Sequence, residues 1–545
     1  MPVRHYGIFL GYSPLADLRS EGLARHLAAF LRAAEKHEDI QWTVACPLWL
    51  KKKLRHLCES EGIDPDRFVI VTPAGRPVLL DLITALRHGP RTLIDAASKL
   101  RRKLGFRPKG FAPSGAAAHG LARIRHWPAL LALLLALSPL LALALAVAAL
   151  IGLASVIALA AIRLARGRFQ PPPIKQILHS FLGRMPNLPG APRLFQAALN
   201  SEIALLAARA NRLGHVKAWY CPAAFWPAFN TIAAPRLICV PDVVTADFAV
   251  GFAHATGDSF LESVRNIEAA IRGGSHFTTY SETVKWSTLV EHYYVDPAKV
   301  HVVPHAPFTL DSWITVTGLP DAAAASRNYC EARLLQAMRK SNNAAYARNF
   351  GNGSVSFIFY ASQFRPNKNI FSLLRAYEHL LRRRYIGHKL ILTGNPYSMP
   401  EVAAFIHDRH LENDVLCLHD LTVPELAACY RLAELAVNPS LSEGGCPFTF
   451  TEALSVDTPA VMARIPVTLE MLDDPALEAA GTFFDPYDWR DMANRIEAGL
   501  KNRQALLAAQ KPVYERLARR GWTDVVDSHI EILDRISATE TKGAA

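Results

Sequence analysis

The sequence has none of the cysteine patterns that mark a disulfide scaffold or a zinc site. Its eight cysteines stand singly, no CxxC pair occurs, and no Cys/His cluster has the spacing of zinc ligands. This predicts buried or inert thiols in a reducing compartment. The N-terminus, MPVRHYGIFLGYS, has too short an apolar run for a secretory signal. With 545 residues, half of them apolar, the chain is typical of an enzyme with two or more domains.

Acidic residues are missing from one long segment of the chain. Between Asp95 and Glu202 no Asp or Glu occurs, whereas fourteen Lys and Arg do. The chain carries a formal charge of +12, yet without those fourteen residues 46 basic side chains face 48 acidic ones. The basic excess therefore belongs to this segment. Few aromatic residues interleave with it, so we expect an anionic membrane surface as its partner, and no nucleic acid.

Charge of either sign is missing from residues 129–162, where Ser138 and Ser155 are the only polar side chains. One straight helix of this length would span about 51 Å, whereas two helices of roughly 17 residues would span about 25 Å each, close to the bilayer core of about 30 Å. Arginines flank both ends, which places both ends in the cytoplasm. We expect a hydrophobic hairpin or a re-entrant insertion at the cytoplasmic face of the inner membrane. The alternative is a buried pair of core helices.

Strand and helix signals alternate on both sides of this segment. Three strands are predicted before it and four after it, at Gly7–Leu10, Trp42–Cys46, Phe68–Val71, Ala218–Cys221, Leu237–Val240, His276–Tyr280 and Val300–Val303. Three strands make a poor sheet and seven make a good one. Residues 1–310 are therefore predicted to fold as one α/β domain, with 96–180 as an insertion that enters and leaves on the same side.

A second strand–helix series follows a polar, helix-prone connection at 311–350. Its near-continuous apolar strands are typical of a parallel sheet covered on both faces, at Val355–Ala361, Leu390–Thr393, Val415–Leu418, Leu435–Val437 and Pro459–Ala463. Residues 351–515 are predicted to form this second doubly wound domain. Residues 516–545 are predicted to form a helix that packs back on the first domain. Ligands of such sheets bind at the carboxyl ends of the strands, so the cleft between the domains is the expected active site.

The loop after the first strand of the second domain carries two cations. Arg365 and Lys368 lie just past the strand end and before a helix, where a guanidinium fork and an ammonium could clamp a diphosphate. An ordinary basic loop is the alternative. The first domain offers no equivalent metal-binding pair, because its single D-x-D, Asp64-Pro-Asp66, precedes a strand and is predicted to be a turn.

A second loop, after Leu435–Val437, carries a glycine pair between two glutamates. Gly444 and Gly445 allow the backbone to approach a ligand closely and to present N–H groups. The carboxylates of Glu443 and Glu452 are good acceptors for sugar hydroxyls. The alternatives are a solvated turn for Glu443 and, for Glu452, a capping box with Thr449 at the start of the next helix.

Together these segments resemble the nucleotide-sugar signature of the retaining GT-B enzymes of glycosyltransferase family 4. The resemblance covers most of residues 205–500 and, more weakly, 1–75. It rests on Pro439-Ser-Leu-Ser-Glu-Gly, Glu452-Ala-Leu-Ser-Val-Asp-Thr-Pro459, Ser362–Asn369, Leu392-Thr-Gly-Asn395, Tyr430, Asn438-Pro439, Phe484-Asp-Pro486, Thr279-Tyr-Ser-Glu282 and Val302-Val-Pro-His305. It implies the GT-B fold, in which two Rossmann-like domains face a cleft.

The resemblance also implies roles for individual residues. Glu443 would bind the donor sugar and Glu452 the nucleotide ribose, while Arg365 and Lys368 would hold the diphosphate and stabilise its charge as it leaves. The backbone at Gly444, Gly445 and Cys446 would face the sugar. Gly22, in Ser20-Glu-Gly22, would lie near the donor phosphates. No catalytic metal and no further cofactor are implied.

This sequence departs from the family pattern at three places. Eight residues separate Glu443 from Glu452, where the family usually has seven. Gln363 stands where the family has its diphosphate Arg. Arg365 replaces that Arg, in a Gln-Phe-Arg-Pro-x-Lys form that also occurs in eukaryotic mannosyltransferases of lipid-linked oligosaccharide assembly. The His-Asp pair of some members appears as Pro241-Asp242, so Asp242 has either an acceptor-side role or that of a turn aspartate.

The sequence therefore predicts a retaining hexosyltransferase. Its donor would be a nucleotide-diphosphate sugar, with mannose slightly favoured, and its acceptor a lipid-linked or other membrane-associated glycan. The altered glutamate spacing keeps one alternative open, a degenerate GT-B fold that binds nucleotide sugars or serves as a scaffold at the membrane.

Overall fold

A computed structural model describes residues 3–16, 22–81, 120, 124–133, 135–136, 138–139, 191–256, 259–347 and 355–543. The Ser20-Glu21 part of the predicted phosphate loop and most of the apolar segment 129–162 lie outside these residues. In the described part, no helix is long and apolar enough to cross a membrane.

The N-terminal part of the chain forms one seven-stranded parallel sheet in the order β3-β2-β1-β4-β5-β6-β7. The three strands before the insertion and the four after it join side by side, because β1 pairs with both β2 and β4. The sequence-based expectation of a single sheet is confirmed. The strands are β1 (Arg4–Phe9), β2 (Ile40–Ala45), β3 (Phe68–Val71), β4 (Ala218–Cys221), β5 (Arg236–Cys239), β6 (His276–Thr279) and β7 (Val300–Val302).

Both faces of this sheet are covered, because consecutive strand residues point to opposite faces and all four residues of β4 are buried. A π-helix at Val284–His292 follows β6. The predicted turn at Asp64 is confirmed, since its carboxylate accepts a hydrogen bond from the Asp66 N–H at 2.9 Å. The α-helices of this part include Gly22–Ala34, Leu48–Ser60, Ala191–Ala210, Val244–Asp247, Ala249–Thr256 and Ser259–Arg272.

The second sheet has six parallel strands in the order β10-β9-β8-β11-β12-β13. Five of them are the predicted strands; the two-residue β13 is an addition. They are β8 (Phe357–Ala361), β9 (Lys389–Thr393), β10 (Val415–Leu418), β11 (Leu435–Asn438), β12 (Ala460–Ala463) and β13 (Phe483–Phe484). The helices beside them are Ile370–Arg383, Pro400–Asp408, Val423–Leu432, Phe448–Ser455, Pro466–Met471, Pro475–Ala479, Trp489–Lys501 and Arg503–Ala518.

The chain passes between the two halves twice. After β7, Leu310 and Ile314 already lie in the core of the C-terminal half, and the helix Ala322–Met338 packs there through Cys330 and Leu334. After the helix Arg503–Ala518 the chain returns, and the last helix, Trp522–Gly543, joins the core of the N-terminal half. Its buried residues there are Val525, Val526, Ile530, Ile532, Leu533 and Ile536.

All eight cysteines lie in the described part and all are free thiols. Seven are buried, and Cys446 is half-buried beside the glycine pair. Burial raises the pKa of Cys46, Cys417 and Cys446 to about 12, which keeps these thiols protonated and weakly nucleophilic. The expectation of buried thiols without pairing is therefore confirmed.

Candidate active site

The carboxyl ends of the two parallel sheets face each other, and the glycine pair of the second sheet contacts the first. Gly444 lies against Pro241, which follows β5, and Gly445 lies against Tyr280, which follows β6. The buried hydroxyl of Ser281 donates a hydrogen bond to the Gly444 carbonyl at 3.1 Å. The loops with the predicted site residues thus meet in one cleft, where ligands of parallel sheets bind.

Lys368 and Glu443 form an ion pair in this cleft. The Lys368 ammonium lies 2.7 Å from the Glu443 carboxylate, and the two side chains are 22% and 18% exposed. Burial acts to lower the pKa of Lys368, but the charge and the hydrogen bond of Glu443 outweigh it, so the pKa is raised. The lysine is therefore cationic at neutral pH, as a group that holds a diphosphate must be.

Asp242 and Arg365 extend this group of charges. Burial raises the pKa of the Asp242 carboxyl, although the positive charges of Lys368 and Arg365 act to lower it. Arg365 is exposed and its guanidinium donates to the Gln363 side-chain oxygen at 2.6 Å. Arg365, the replacement for the family's diphosphate arginine, thus lies beside Gln363, which occupies the position of that arginine. The cleft therefore holds two cations from one domain and a carboxylate from the other.

The glycine pair has no room for a side chain. A Cβ on Gly444 would lie 1.9 Å from the Pro241 carbonyl oxygen, and a Cβ on Gly445 would lie 2.8 Å from Tyr280 and 3.1 Å from the His305 ring. In the described residues no group accepts a hydrogen bond from the N–H of either glycine. These two donors are therefore free for a ligand that enters the cleft.

A buried asparagine connects the basic loop to the glycine loop. The Asn367 side chain donates to the Ser442 carbonyl at 3.3 Å, and its main-chain carbonyl accepts from the Leu441 N–H at 2.8 Å. The Tyr360 and Ser440 hydroxyls share a hydrogen bond of 3.0 Å beneath these loops. These bonds fix the position of Lys368 relative to Glu443, so the fold itself holds the two side chains together.

Glu452 pairs with a residue of the opposite domain. Its carboxylate, only 4% exposed, accepts a hydrogen bond at 2.8 Å from Arg25 on the helix Gly22–Ala34. The capping-box interpretation is wrong, because the helix begins at Phe448 with Pro447 as its N-cap, which places Thr449 inside it. Through its pairing with Arg25, Glu452 lies where the two domains meet. Gly22 is the first residue of the helix that carries Arg25.

His305 closes one side of the glycine loop. Its ring packs on Phe448 at 4.6 Å and edge-to-face on Tyr280 at 5.2 Å. Burial lowers the pKa of His305 to about 4, against smaller opposing contributions from the Ala306 and Cys446 backbone and from Glu443. The imidazole is therefore neutral at pH 7. This position gives it a packing role beside the site with no charge of its own.

Glu470 also joins the two domains. Its carboxylate accepts hydrogen bonds from the N–H groups of Glu282 and Thr283, at 2.7 and 2.8 Å, and from the Thr283 hydroxyl at 2.6 Å. These N–H groups lie at the start of the π-helix Val284–His292, an end of a helix that favours a negative charge. The two domains are therefore held closed in this structure.

The sequence predicted one site for eight residues, and the structure places all of them at the domain interface. They are Glu443, Lys368, Gly444, Gly445, Cys446, Arg365, Asp242 and Glu452. No role was predicted for Arg25, Ser281, Asn367 or Glu470. Their partners lie 163 or more positions away for Ser281 and Glu470, and 427 for Arg25. Such pairs follow from domain arrangement, and no local sequence pattern predicts them. In the described residues no group of three His, Cys, Asp or Glu could hold a metal ion.

Known proteins resemble this chain in one domain and in the overall fold. Residues 347–516 match the family Glycosyl transferases group 1. No curated protein matches the chain in sequence. The sucrose-phosphate synthase of Thermosynechococcus elongatus is similar in structure, with a TM-score of 0.54 and 12% identity over 98% of this chain and 100% of that one. Anabaena HepE, solved in complex with UDP and glucose, has a TM-score of 0.45 and 16% identity over 61% and 81% of the two chains.

Residues 347–516 thus match a Glycosyl transferases group 1 domain, and the two parallel sheets have the GT-B architecture. The chain is a transferase enzyme of the glycosyltransferase kind. The matched domain contains Arg365, Lys368, Glu443 and Glu452, so the cleft that it faces is the candidate active site.

Proposed function

We propose that this protein is a retaining hexosyltransferase that uses a nucleotide-diphosphate sugar and acts on a membrane-associated, lipid-linked or other glycan acceptor. The observation that carries the proposal is the Lys368–Glu443 ion pair at 2.7 Å, beside two glycines whose N–H groups have no acceptor in the described residues. This arrangement offers a cation for a diphosphate, a carboxylate for sugar hydroxyls and backbone donors, within one cleft.

In the proposed reaction the bond between the sugar C1 and the diphosphate oxygen breaks, and a bond from C1 to the acceptor oxygen forms on the same face. The acceptor proton passes to the leaving phosphate, so no protein base is required. Lys368, cationic at neutral pH, and Arg365 stabilise the negative charge that builds on the diphosphate. Glu443 orients the sugar, and no metal is assigned to any step.

The donor base and sugar are assigned from resemblance. The Gln-Phe-Arg-Pro-x-Lys form at Gln363–Lys368 favours a mannose donor over other hexoses. Glu452 would receive the nucleotide ribose, and its pairing with Arg25 at 2.8 Å gives the ribose site a wall from the opposite domain. Bound nucleotide would then contact both domains at once.

The membrane acceptor and the location at the cytoplasmic face of the inner membrane rest on the sequence. The thirty-four uncharged residues at 129–162, with arginines at both ends, support insertion from the cytoplasmic side. The flanking residues that the structure describes leave and rejoin the N-terminal sheet between β3 and β4. The acceptor would therefore be one that a bilayer carries.

Replacement of Glu443 by Gln tests the proposal. The amide keeps the size of the side chain and can still accept a hydrogen bond from Lys368, but it removes the negative charge that organises the sugar. We expect transfer from a panel of GDP- and UDP-sugars, measured as nucleotide release with membrane acceptor, to fall by roughly 10²- to 10³-fold. Lys368→Ala is expected to have an effect of the same order. Unchanged transfer in both variants would refute the proposal.

Glu478→Gln is the matched control. Glu478 also forms an ion pair, with Arg464 at 2.5 Å, but both of these side chains are exposed and lie on the surface. Exposed pairs contribute at most about 1 kcal/mol, so the control is expected to keep its melting temperature and its activity. Nucleotide binding without transfer by the wild-type enzyme, across the whole donor panel, would favour a scaffold function.

A further inference from the structure

An open pocket lies at the same edge of the N-terminal sheet as the active site, beyond the residues assigned to the donor. It has a volume of about 530 Å³ and is lined by Leu48, the loop 72–76 and Arg209. The loop follows β3, the edge strand. At about 4.8 Å per strand step, β3 is roughly 10 Å from β1 and roughly 19 Å from β5, which ends at Asp242.

Two arginines give this pocket its charge. Arg76 and Arg209 are both exposed, and in the described residues neither forms an ion pair. Burial raises the pKa of the nearby Asp81 carboxyl, and the positive charge of Arg76 acts to lower it. Leu48 and Pro73 supply apolar lining next to the two guanidinium groups. A pocket lined by apolar and cationic side chains together fits a phosphate attached to an apolar chain.

The residues that flank the uncharged segment are anchored on the walls of this pocket. Arg125 donates hydrogen bonds to the carbonyls of Ala74 and Gly75, both at 2.9 Å, and its guanidinium pairs with the buried Glu202. Gly75 has a positive φ of 73°, and a Cβ there would lie 3.0 Å from Arg125. The conformation of the loop and the position of Arg125 therefore depend on each other.

The other end of the segment returns to the same place. Leu80 packs on Phe195 and Ala198, which lie on the helix Ala191–Ala210 that also carries Arg209. The described chain thus meets this pocket wall up to residue 81, at Arg125 and again near residue 195.

We propose that Arg76 and Arg209 bind the phosphate or diphosphate group of a lipid-borne acceptor. This inference rests on the proposed function and names the acceptor class for the same active site. Because the pocket lies roughly 10 to 19 Å from the strand ends that flank the donor site, the acceptor carries sugars between its phosphate and the reacting hydroxyl. The apolar chain leaves the pocket toward the membrane, and the glycan crosses the sheet edge toward Asp242.

The test uses full-length protein and farnesyl diphosphate, a short isoprenoid diphosphate, as the probe in titration calorimetry. Arg76→Ala and Arg209→Ala are each expected to weaken its binding about tenfold. Arg212→Ala, which removes an exposed arginine just past the end of the same helix, is the matched control and is expected to bind the probe like the wild type. Unchanged affinity in both pocket variants would overturn the proposal.

Two further probes separate the sources of binding. Inorganic pyrophosphate and farnesol are each expected to bind at least tenfold more weakly than farnesyl diphosphate. Pyrophosphate binding as tight as that of the probe would overturn the assignment, because the site would then take free phosphate. Farnesol binding as tight would overturn it too, because the arginines would have no role.

Lys368→Ala makes the failure of this inference distinguishable from failure of the proposed function. This variant is expected to lose transfer and keep farnesyl diphosphate binding, whereas the pocket variants are expected to keep nucleotide binding. Loss of farnesyl diphosphate binding in Lys368→Ala would place the probe in the donor site and overturn the inference, with the proposed function untouched.

Discussion

At the scale of single residues, the glycine pair shows how closely the two domains approach. Glycine is required at Gly444 because of contact across the cleft, since neither glycine of the pair has a positive φ. A Cβ there would meet the main chain of Pro241, which cannot rotate away as a side chain could. The residue thus reports domain closure, and the active site is complete only when the domains are closed.

Gly444→Ala is therefore expected to hold the domains apart. A displacement of about 1 Å in the catalytic groups costs on the order of 10²-fold in rate, so we expect transfer to fall about 100-fold. Nucleotide binding to the C-terminal domain should change little, because the clash involves only the opposite domain. Steady-state transfer and nucleotide titration measure the two effects.

Gly214→Ala is the control for this change. No atom lies within 4 Å of the Cβ that it would add, and Gly214 is exposed. Activity of Gly444→Ala equal to that of Gly214→Ala would contradict the argument. If Gly444→Ala lowers the melting temperature as well as the activity, the contact stabilises the fold without serving domain closure.

At the scale of elements, the sequence predicted the strands well and the pairings between domains poorly. Twelve of the thirteen strands coincide with predicted ones to within three residues at either end, because buried parallel strands are short apolar runs between helices. β13 was missed because two residues, Phe483 and Phe484, carry no periodic signal. The capping-box alternative put the N-cap of the helix Phe448–Ser455 at Thr449, whereas the N-cap is Pro447.

The candidate site followed from sequence only as far as the strand ends. Lys368 and Glu443 come from loops after neighbouring strands β8 and β11 of one sheet, so their proximity could be expected. Arg25 and Glu452 come from different domains, and their contact depends on how those domains are oriented. No pattern of spacing encodes that orientation, which is why the Arg25 pairing was not foreseen.

The last helix carries a titratable group into the core of the N-terminal half. His529 is 1% exposed, and its ring lies 5.3 Å from Phe30 and 4.8 Å from Tyr220. Its Nδ1–H donates to the Val525 carbonyl at 2.7 Å. Burial lowers the pKa of His529 to about 4, so the ring is neutral in the folded protein at pH 7.

Acid is therefore expected to destabilise this helix through His529. The unfolded chain binds a proton near pH 6.5 and the folded one near pH 4, so the unfolded state holds more protons between these values and stability falls as the pH drops. From pH 6.5 to 5 this amounts to about 2 kcal/mol. Urea unfolding at pH 7 and pH 5 should show a smaller loss in His529→Asn, whose amide can replace the Nδ1 donor.

His254→Asn serves as the control, because His254 is exposed on the helix Ala249–Thr256. It is expected to leave the difference in unfolding free energy between the two pH values as in the wild type. A His529→Asn variant with the same pH dependence as His254→Asn would show that the buried ring does not govern acid stability.

At the scale of the whole molecule, the two domains are connected by two chain crossings and by contacts on both sides of the cleft. Arg520, at the second crossing, donates to the Pro304 carbonyl at the first crossing at 2.9 Å, which joins the crossings to each other. Arg25–Glu452 and Ser281–Gly444 close the cleft itself. Glu470 adds a further contact between the domains through three hydrogen bonds to Glu282 and Thr283, neither of which is a candidate catalytic group.

Glu470→Ala is expected to shift the molecule toward an open form without altering either domain. Loss of the charged acceptor costs on the order of 2 kcal/mol in the closed state, about a 30-fold change in the equilibrium between closed and open forms. We expect a lower kcat/KM for transfer and a larger radius of gyration by small-angle scattering, with added nucleotide sugar reversing part of the expansion. Glu478→Ala, which removes an exposed carboxylate of the same domain, is expected to change neither quantity. A Glu470→Ala enzyme that keeps the wild-type radius but loses activity would mean that Glu470 acts on the site through its helix, Pro466–Met471, and that domain closure depends on the cleft contacts alone.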